Sequence, residues 1–517
     1  MKPYKILLFL ISIFIVLSLL SLVFPKDGIF LGNDILLKFP DFRTSLTPDE
    51  SKYADISEIL EYHQSDIEEN INQLASDTIA EFTDSLTIPD SLNADIISDS
   101  IKSNDTTTVK SSLHQPGTIR QKLEYPDGNP KVLYSFFNHL HNLKTSGELI
   151  RILHYGDSQI EGDRITSYIR NELQKQFGGS GIGLFTPVLI KGTNISMQHQ
   201  LDGNWERFTM QSIKNGNIYH KRLGALMSFG RFAPANINEN TFCAGEINLK
   251  KSNITYLLTR KFKQCRVFYG YNEHPFIAEL KYKDKTLDAD LISVSHQLNT
   301  LTWDIDSELG EITISFKGEA SPDIYGIALD DHSGIAVDNI PLRGSSGTDF
   351  TRTDLAFLRS MYQELNAKLI ILQFGVNLVP YETTDYSYYE RQFYKQLKTL
   401  KGLRPDIDII VIGVSDMSRN KNGKLESYPN IENIREAQRN AAFKADCAFW
   451  DMYAAMGGKN SMPAWASTSP PLAKTDYTHF TWKGSVVISK MFYEAFIHDY
   501  NEYLKNREQL KNENTEN

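Results

Sequence analysis

Apolar residues recur along this chain at different spacings, which divide it into regions of different predicted structure. Residues 149–155 form an apolar run typical of a buried strand, and the run stops at Gly156-Asp157-Ser158. The following apolar residues recur every three or four positions, as on one helix face: Ile165, Tyr168, Ile169, Leu173 and Phe177. The pattern predicts a strand, a tight turn and then a helix.

The same rhythm returns in the C-terminal part of the chain. Helix-like spacing occurs at 354–365, 388–400, 431–445 and 484–504, and apolar strand-like runs occur at 369–374, 407–412 and 448–452. Strands that alternate with helices favour a parallel sheet covered on both faces.

The middle of the chain has a different pattern. Apolar and polar residues alternate at 254–258, 266–269, 277–282 and 311–316, with Gly, Asn and Asp turns between them. A period of two at this spacing predicts a β-sandwich. We therefore expect an α/β domain at 119–187 and 336–507, an inserted β-sandwich at 188–335 and a disordered tail at 508–517.

The N-terminus contains one long apolar segment. Residues 6–24 carry no charge, and Lys2 and Lys5 precede them. About 20 apolar residues span a bilayer as a helix, and the preceding lysines favour a cytoplasmic N-terminus. A cleaved signal peptide is the alternative, but no small-x-small site precedes Pro25. We expect an uncleaved anchor over 1–26, in the cytoplasmic membrane, with the rest of the chain outside the cytoplasm.

The segment after the anchor carries the acidity of the chain. Residues 48–115 contain 15 acidic and 3 basic side chains, a local charge of −12 within a total of −10. The rest of the chain is therefore nearly neutral, which excludes the basic face of a nucleic-acid-binding protein. Few aromatic residues occur there, so we expect a flexible acidic tether over 27–118.

Side chains suited to catalysis occur at three places in the chain. Ser158 ends one strand, Asn377 follows the strand at 369–374, and Asp476 precedes His479 by three residues. A nucleophilic serine needs a base and a group that orients the base, and an Asp-x-x-His pair supplies both. Taken alone, Ser158 reads first as a helix N-cap. Its place at the carboxyl end of a strand, where open α/β sheets bind ligands, favours catalysis.

Other candidate motifs fail on their context. The glycine run at 178–183 follows a predicted helix, so it does not form a phosphate-binding loop. No His, Cys and Asp cluster has metal-ligand spacing, and we predict neither a metal nor a cofactor. Cys243 and Cys265 are close enough in sequence for a disulfide, although burial of these two and Cys447 as thiols is an equal alternative.

Four short blocks in this order resemble the SGNH (GDSL-like) hydrolases. They are Gly156-Asp157-Ser158, then Arg343-Gly344-Ser345-Ser346-Gly347, then Gly375-Val376-Asn377, and last Asp476 with His479. The resemblance implies a doubly wound, flavodoxin-like parallel sheet. It also implies Ser158 as nucleophile, His479 as general base and Asp476 as its partner. The backbone N–H groups of Ser158 and Gly347, with the Asn377 amide, would form the oxyanion hole, and Gly344 is the alternative to Gly347. Asp157, Gln159 and Arg164 would shape the loop.

The long separation of the first two blocks is similar to that in bacterial peptidoglycan O-acetylesterases, where a carbohydrate-binding-like sandwich interrupts the hydrolase domain. The stretch at 154–159 and the Phe177-Gly178-Gly179 run also resemble that group. This implies a periplasmic esterase acting on an acetylated glycan, with peptidoglycan as leading candidate. An O-acetyltransferase for an exported polysaccharide and a non-catalytic glycan-binding protein are the alternatives. The sequence leaves the glycan and the oligomeric state open.

Overall fold

The computed structural model describes residues 53–61, 119–190, 194–233 and 243–515, with four short pieces between residues 9 and 37. Nearly all of the predicted anchor and tether lies outside these residues. Within the described part of the chain, no helix has the length and apolarity needed to cross a membrane. The chain divides into two units, 1–55 and 56–517. In the first, strands Ile29–Phe30 and Leu36–Leu37 pair antiparallel.

The elements of the larger unit follow one another in three groups. The first is β1 (Leu123–Glu124), α1 (Tyr134–Ser146), β2 (Leu149–Gly156) and α2 (Thr166–Phe177). The second is β3 (Gly183–Phe185), β4 (Met197–Gly203), β5 (Glu206–Thr209), α3 (Met210–Lys214), β6 (Ser228–Arg231), β7 (Cys243–Lys251), α4 (Leu257–Arg260), β8 (Gln264–Asn272), β9 (Phe276–Tyr282), β10 (Lys285–Ile292), β11 (Ser295–Asp304), β12 (Glu311–Gly318) and β13 (Asp323–Asp330). The third is β14 (Gly334–Pro341), α5 (Leu355–Glu364), β15 (Ala367–Gln373), α6 (Ser387–Lys401), β16 (Asp408–Ile412), β17 (Ser418–Lys421), β18 (Lys424–Ser427), α7 (Ile431–Lys444), β19 (Ala448–Trp450), α8 (Met452–Met456), α9 (Ser461–Ser467) and α10 (Trp482–Thr515).

The first and third groups build one mainly parallel sheet. Its strand order is β14-β2-β15-β16-β19-β1, and only β1 runs antiparallel to its neighbour. Successive side chains of a strand point to opposite faces, so each face has its own apolar layer. Leu153 and Tyr155 share a buried cluster with residues of α5, α6 and α7. Ile152 and Ile371 line a small cavity with residues of α2 and α10 on the other face. The predicted α/β class, with a parallel sheet covered on both faces, is confirmed.

The second group forms two antiparallel sheets that pack face to face. One has the order β11-β8-β13-β6-β5, with β3 added to β13, and the other has the order β10-β9-β12-β7-β4. Their shared core includes Val267, Ile327, Ile247 and Ile314, one residue from each of four strands. These sheets run from Gly183 to Asp330, five residues earlier at each end than the predicted insert at 188–335. We call residues 183–330 the insert.

Buried charges join the insert to the parallel sheet. Arg151 of β2 is fully buried and forms ion pairs with Asp338 of β14 and Asp330 of β13. Arg266 of β8 also pairs with Asp330, at 3.1 Å. A buried charge without a partner would lower the stability of the fold. Removal of either arginine or either aspartate would therefore leave an uncompensated charge at this junction. The insert therefore rests directly on the two strands whose carboxyl ends carry Ser158 and the second block.

Three local predictions are wrong. Residues 254–258 were expected as a strand, but α4 occupies Leu257–Arg260, because the segment lies outside both sheets and finds no pairing strand. The helix after Ser158 starts only at Thr166, after a 3-10 segment at Ser158–Asp163. The last helix was expected to end at 504, followed by a disordered tail at 508–517. It continues to Thr515, since no Gly or Pro interrupts this stretch.

The three cysteines are buried thiols, which was one of the two arrangements that the sequence allowed. Cys243, Cys265 and Cys447 are all buried, and no disulfide joins them. The aromatic residues Phe268, Tyr269 and Trp303 of the insert are buried as well. Burial in the protein interior therefore accounts for the three cysteines and for these three aromatic residues.

Asp408 should make the stability of the fold depend on pH. Burial raises the pKa of Asp408 to about 7, although the Phe136 N–H donates to this carboxyl at 2.8 Å. Between about pH 4 and pH 7 the folded protein holds a proton that the unfolded chain has released, so the free energy of unfolding falls as pH rises. The side-chain oxygen of Asp408→Asn can still accept the Phe136 N–H, but the side chain cannot ionise. We expect its melting temperature, relative to wild type, to rise from pH 5 to pH 8.

The control for this prediction is Asp446→Asn, at an exposed position. Its melting temperature should differ from that of wild type by the same amount at both pH values. A difference between Asp408→Asn and wild type that does not change with pH would contradict the prediction.

Candidate active site

Ser158, His479 and Asp476 form a continuous hydrogen-bonded chain. The Ser158 Oγ and His479 Nε2 atoms are 2.8 Å apart, and His479 Nδ1 lies 2.8 Å from Asp476 Oδ2. Ser158 follows the carboxyl end of β2, whereas the other two residues come from the loop before α10, 321 positions further on in the case of His479. The structure thus brings together the three residues that the sequence nominated as the catalytic group.

Asp476 is held as a carboxylate by the turn that contains it. Its Oδ1 accepts the backbone N–H groups of Thr478 and His479, at 2.9 and 3.0 Å. Partial burial would raise the pKa of Asp476, but hydrogen bonds from the His479 ring and from these N–H groups outweigh burial and hold it well below the usual range. A carboxylate in this position fixes the proton of the imidazole on Nδ1 and stabilises the imidazolium form.

The loop after β15 carries the predicted oxyanion amide. Gly375 has φ +135°, and a Cβ there would lie 2.7 Å from the Val414 side chain, so only glycine fits. The tight turn leaves Asn377 half-buried, where its side-chain amide donates to the Ser345 carbonyl oxygen at 3.0 Å. Asn377 therefore bridges the third block to the second.

The structure distinguishes the two glycines of the second block. Gly347 has φ +77°, and a Cβ there would lie 2.7 Å from the Phe374 ring, beside the Asn377 loop. Gly344 also has a positive φ, but no atom lies within 4 Å of its Cβ position. The Gly347 N–H donates to Ser345 Oγ at 3.0 Å. Gly347 therefore packs against the residue that leads into the Asn377 loop, and Gly344 does not.

Asp157 joins the Ser158 turn to the Asn377 loop. Its carboxyl group accepts the Gln159 N–H at 3.0 Å and also the N–H groups of Gly375 and Val376. Complete burial raises the pKa of Asp157 to about 6, and these hydrogen bonds oppose the rise. The residue supports two loops at once, in line with the loop-shaping role expected for it.

Gln159 and Arg164 hold the histidine loop from both sides. The Gln159 side-chain amide donates to the Thr478 carbonyl at 2.6 Å and to Ser415 Oγ at 3.0 Å. The Arg164 guanidinium donates to the Phe480 carbonyl at 3.4 Å and to the Ser158 carbonyl at 3.0 Å. Since Thr478 and Phe480 flank His479 in the chain, we call Gln159 and Arg164 the histidine clamp.

Loss of the histidine clamp should lower turnover more than substrate binding. In Gln159→Ala and Arg164→Met, His479 loses orientation relative to Ser158, and a misplacement of about 1 Å can cost about 10²-fold in rate. We expect kcat for an acetyl ester to fall by about 10- to 100-fold, with KM changed by less than about threefold. Arg164→Lys should recover part of the loss because lysine still donates to one carbonyl.

Arg359→Met is the matched control, since Arg359 donates to the Leu403 carbonyl away from the site. Steady-state measurement of kcat and KM for the three histidine clamp variants and for this control tests the prediction. An increase in KM at unchanged kcat would assign the histidine clamp residues to substrate binding instead.

Two supporting residues were missed by the sequence analysis. The Gln438 side-chain amide donates to the Phe374 carbonyl at 2.7 Å, and its oxygen accepts the Val414 N–H at 2.9 Å. Tyr389 donates to the Ser346 carbonyl at 3.3 Å. Gln438 occupies an apolar position in the buried stripe of α7, next to Ala437 and Ala441, and that break in the pattern was the available signal.

No metal site accompanies this arrangement in the described part of the chain, where no group of three or more His, Cys, Asp or Glu side chains could hold an ion. The nearby His154 lies under the strand edge and is fully buried. Burial lowers the pKa of His154 to about 3, and its ring contacts Gln373 and Thr166. It therefore packs as a neutral side chain beneath the site.

No protein-family model and no curated protein matches this sequence. Among solved structures, the chain is similar to a peptidoglycan O-acetylesterase, with 20% identity and a TM-score of 0.54, over 73% of this chain and 98% of that one. This chain has the fold of that esterase. The predicted resemblance is thereby confirmed at the level of the fold. The match covers more of this chain than the parallel-sheet domain alone contains, so it includes much of the insert.

Two other solved structures are similar over a poorer superposition. An acetyl xylan esterase is 14% identical, with a TM-score of 0.25, over 31% of this chain and 81% of that one. A family two carbohydrate esterase from Clostridium thermocellum, in complex with cellohexaose, is 8% identical, with a TM-score of 0.22, over 59% of this chain and all of that one.

Proposed function

We propose that this chain is a serine esterase that removes O-acetyl groups from a glycan of the cell envelope, with peptidoglycan as the leading candidate. The observation that carries the proposal is the Ser158–His479–Asp476 chain, with both serine–histidine and histidine–aspartate separations at 2.8 Å. It lies at the carboxyl edge of a parallel sheet, where such folds bind ligands. The fold shared with a peptidoglycan O-acetylesterase supports the choice of substrate.

In the proposed acylation step, Ser158 Oγ attacks the acetyl carbonyl carbon while His479 Nε2 takes the serine proton. The carbonyl oxygen becomes an oxyanion, which accepts hydrogen bonds from the Ser158 and Gly347 N–H groups and the Asn377 amide. The C–O bond to the sugar then breaks. The sugar oxygen leaves with the proton held by His479, and acetyl-Ser158 remains.

In the proposed deacylation step, water attacks the acetyl carbonyl and gives its proton to His479. Collapse of the second tetrahedral intermediate breaks the bond to Ser158 Oγ, which recovers the proton. Acetic acid leaves and releases its remaining proton to solvent as acetate, and the enzyme returns to its starting state. The ionised Asp476 stabilises the imidazolium in both steps.

Asn377→Ala tests the proposed oxyanion hole. Loss of one donor to an oxyanion typically lowers kcat by about 10²–10³-fold, because the lost bond is strongest in the transition state. We expect a decrease in kcat of that size for 4-nitrophenyl acetate, with little change in KM. Asn366→Ala, at a position that contacts the Leu149 carbonyl at the opposite end of the strands, is the control. Unchanged kcat in Asn377→Ala would remove the residue from the mechanism.

We further propose that residues 6–24 anchor the chain in the cytoplasmic membrane, with the esterase on the periplasmic side. The uncharged apolar run after Lys2 and Lys5 supports this. Full-length protein should stay in the membrane pellet after an alkaline wash, and a variant without residues 1–26 should not. Full-length protein in the supernatant would contradict the anchor.

Acetate release from O-acetylated peptidoglycan is the deciding experiment for the proposed function. Wild type should release acetate from the glycan and hydrolyse 4-nitrophenyl acetate, and Ser158→Ala should do neither. Turnover of the small ester alone would keep the serine chemistry but overturn the peptidoglycan assignment. Absence of any Ser158-dependent turnover would overturn the esterase.

A further inference from the structure

A groove of about 360 Å³ opens between the second block, the start of α6 and the loop after Asn377. This volume falls within the range of sites that hold small ligands, about 300–1,000 Å³. The residues that line it are mostly polar, and they include Ser346, Thr348, Thr351, Tyr388, Gln392 and Lys395. We call it the side groove.

The side groove borders the two loops that carry the predicted oxyanion donors. Ser346 and Thr348 flank Gly347 in the chain, and Leu378 directly follows Asn377. Consecutive Cα atoms are about 3.8 Å apart, so one rim of the groove lies one residue away from each donor. The side groove therefore borders the same two loops as the predicted oxyanion hole.

The lining of the side groove suits a sugar. Hydroxyl groups of Ser346, Thr348 and Thr351 and the amide of Gln392 can exchange hydrogen bonds with sugar hydroxyls. Tyr388 is 68% exposed, so its ring presents an apolar face to solvent at the edge of a polar groove. Sugar rings have apolar C–H faces that pack on such rings, and a tyrosine adds a hydroxyl to the same contact.

The charged side chains that line the side groove are both cationic. Arg352 pairs with Asp349 at 2.9 Å, outside the lining. Lys395 is exposed, and it has no ion-pair partner among the described residues. Glu390, on the same helix, is engaged by Lys444 instead. The groove thus offers an uncompensated ammonium group, although the chain as a whole has a net charge of −10.

We propose that the side groove binds a carboxylate-bearing unit of the glycan, next to the acetylated sugar, with Lys395 contacting the carboxylate and Tyr388 packing on the ring. The proposal rests on the proposed function, since it takes the ligand of Ser158 to be a glycan. It adds a chemical preference: an anionic glycan should be a better ligand than the same glycan without its negative charges.

The test compares O-acetylated peptidoglycan fragments with the same fragments after their carboxylates have been converted to methylamides. Binding to full-length Ser158→Ala protein is measured by calorimetry, so that hydrolysis does not intervene. We expect the amidated fragments to bind about three- to tenfold more weakly, the size of one partly exposed charge-assisted contact. Adding Lys395→Ala should weaken native-fragment binding by the same factor and abolish the difference between the two ligands.

Lys398→Ala is the matched control, because Lys398 is an exposed lysine of α6 that does not line the groove. It should leave the preference for native fragments intact. Tyr388→Ala should weaken binding of both ligands about equally. Equal binding of native and amidated fragments, or a preference that survives Lys395→Ala, would overturn the proposal.

These outcomes are separate from those of the proposed function. Fragment binding that depends on Lys395, in a protein whose wild type releases no acetate, would keep the groove and overturn the esterase. Acetate release without any dependence on Lys395 would keep the esterase and overturn the groove.

Discussion

Replacing Ser158 with alanine is expected to lower kcat for acetyl esters by about 10⁴–10⁶-fold. The physical reason is that Ser158 Oγ is the atom placed 2.8 Å from His479 Nε2, and no other hydroxyl occupies that position. Without the hydroxyl, only the proposed oxyanion donors and substrate binding remain to accelerate direct attack by water. Initial rates with 4-nitrophenyl acetate, and acetate release from the glycan, both measure the loss.

The fold should not change in this variant, because Ser158 Oγ lies at the half-buried edge of the sheet and supports no other loop through a hydrogen bond in the described residues. Circular dichroism and the melting temperature verify this. Ser360→Ala, on the exposed side of α5, is the control and should keep full activity. Activity retained in Ser158→Ala would mean that another residue is the nucleophile.

The second large effect is expected for Asp476→Asn, with kcat lowered by about 10⁴-fold. The asparagine oxygen can still accept the Thr478 and His479 N–H groups, so the turn should keep its shape. An amide cannot stabilise the imidazolium, however, and its NH₂ group favours the wrong tautomer of the ring. The variant should therefore bind substrate normally and turn it over slowly.

Kinetics between pH 5 and pH 9 extend this test. The pKa of Asp476 lies well below its usual range because of the hydrogen bonds it accepts, so wild type keeps the carboxylate ionised throughout this interval. The deficit of Asp476→Asn should thus persist at every pH. Asp446→Asn, at an exposed position, should behave as wild type. A deficit that disappears at pH 5 would contradict an ionised Asp476.

Local sequence patterns were enough to find the strands that carry the site. The apolar run before Ser158 and the run before Gly375 were predicted as strands, and they are β2 and β15. Buried parallel strands are short, continuous and apolar, so a window of a few residues contains the whole signal. The Asp476–His479 pair was also visible, because both partners lie in one turn.

Local patterns failed where neighbours distant in the sequence decide the conformation. Residues 254–258 alternate like a strand, yet they lie outside both sheets and lead into a helical turn. Ser158 opens a 3-10 segment and not the expected α-helix, and the Asp157 carboxylate caps this segment while it also binds the loop after β15. The spacing of apolar residues within a segment shows which side chains are buried. It does not show which residues from a distant part of the sequence will contact that segment.

The sequence by itself thus determined the class of the fold, the strands beneath the site and the three residues of the proposed catalytic group. Tertiary structure alone decided that Ser158 and His479 meet, that Gln159 and Arg164 hold the histidine loop, and that Gly347 packs against Phe374 while Gly344 does not. The physical reason is that apolar periodicity reports which side chains are buried. The hydrogen bonds and close contacts of a site depend on which buried segments meet. The packing of the whole chain determines which segments those are.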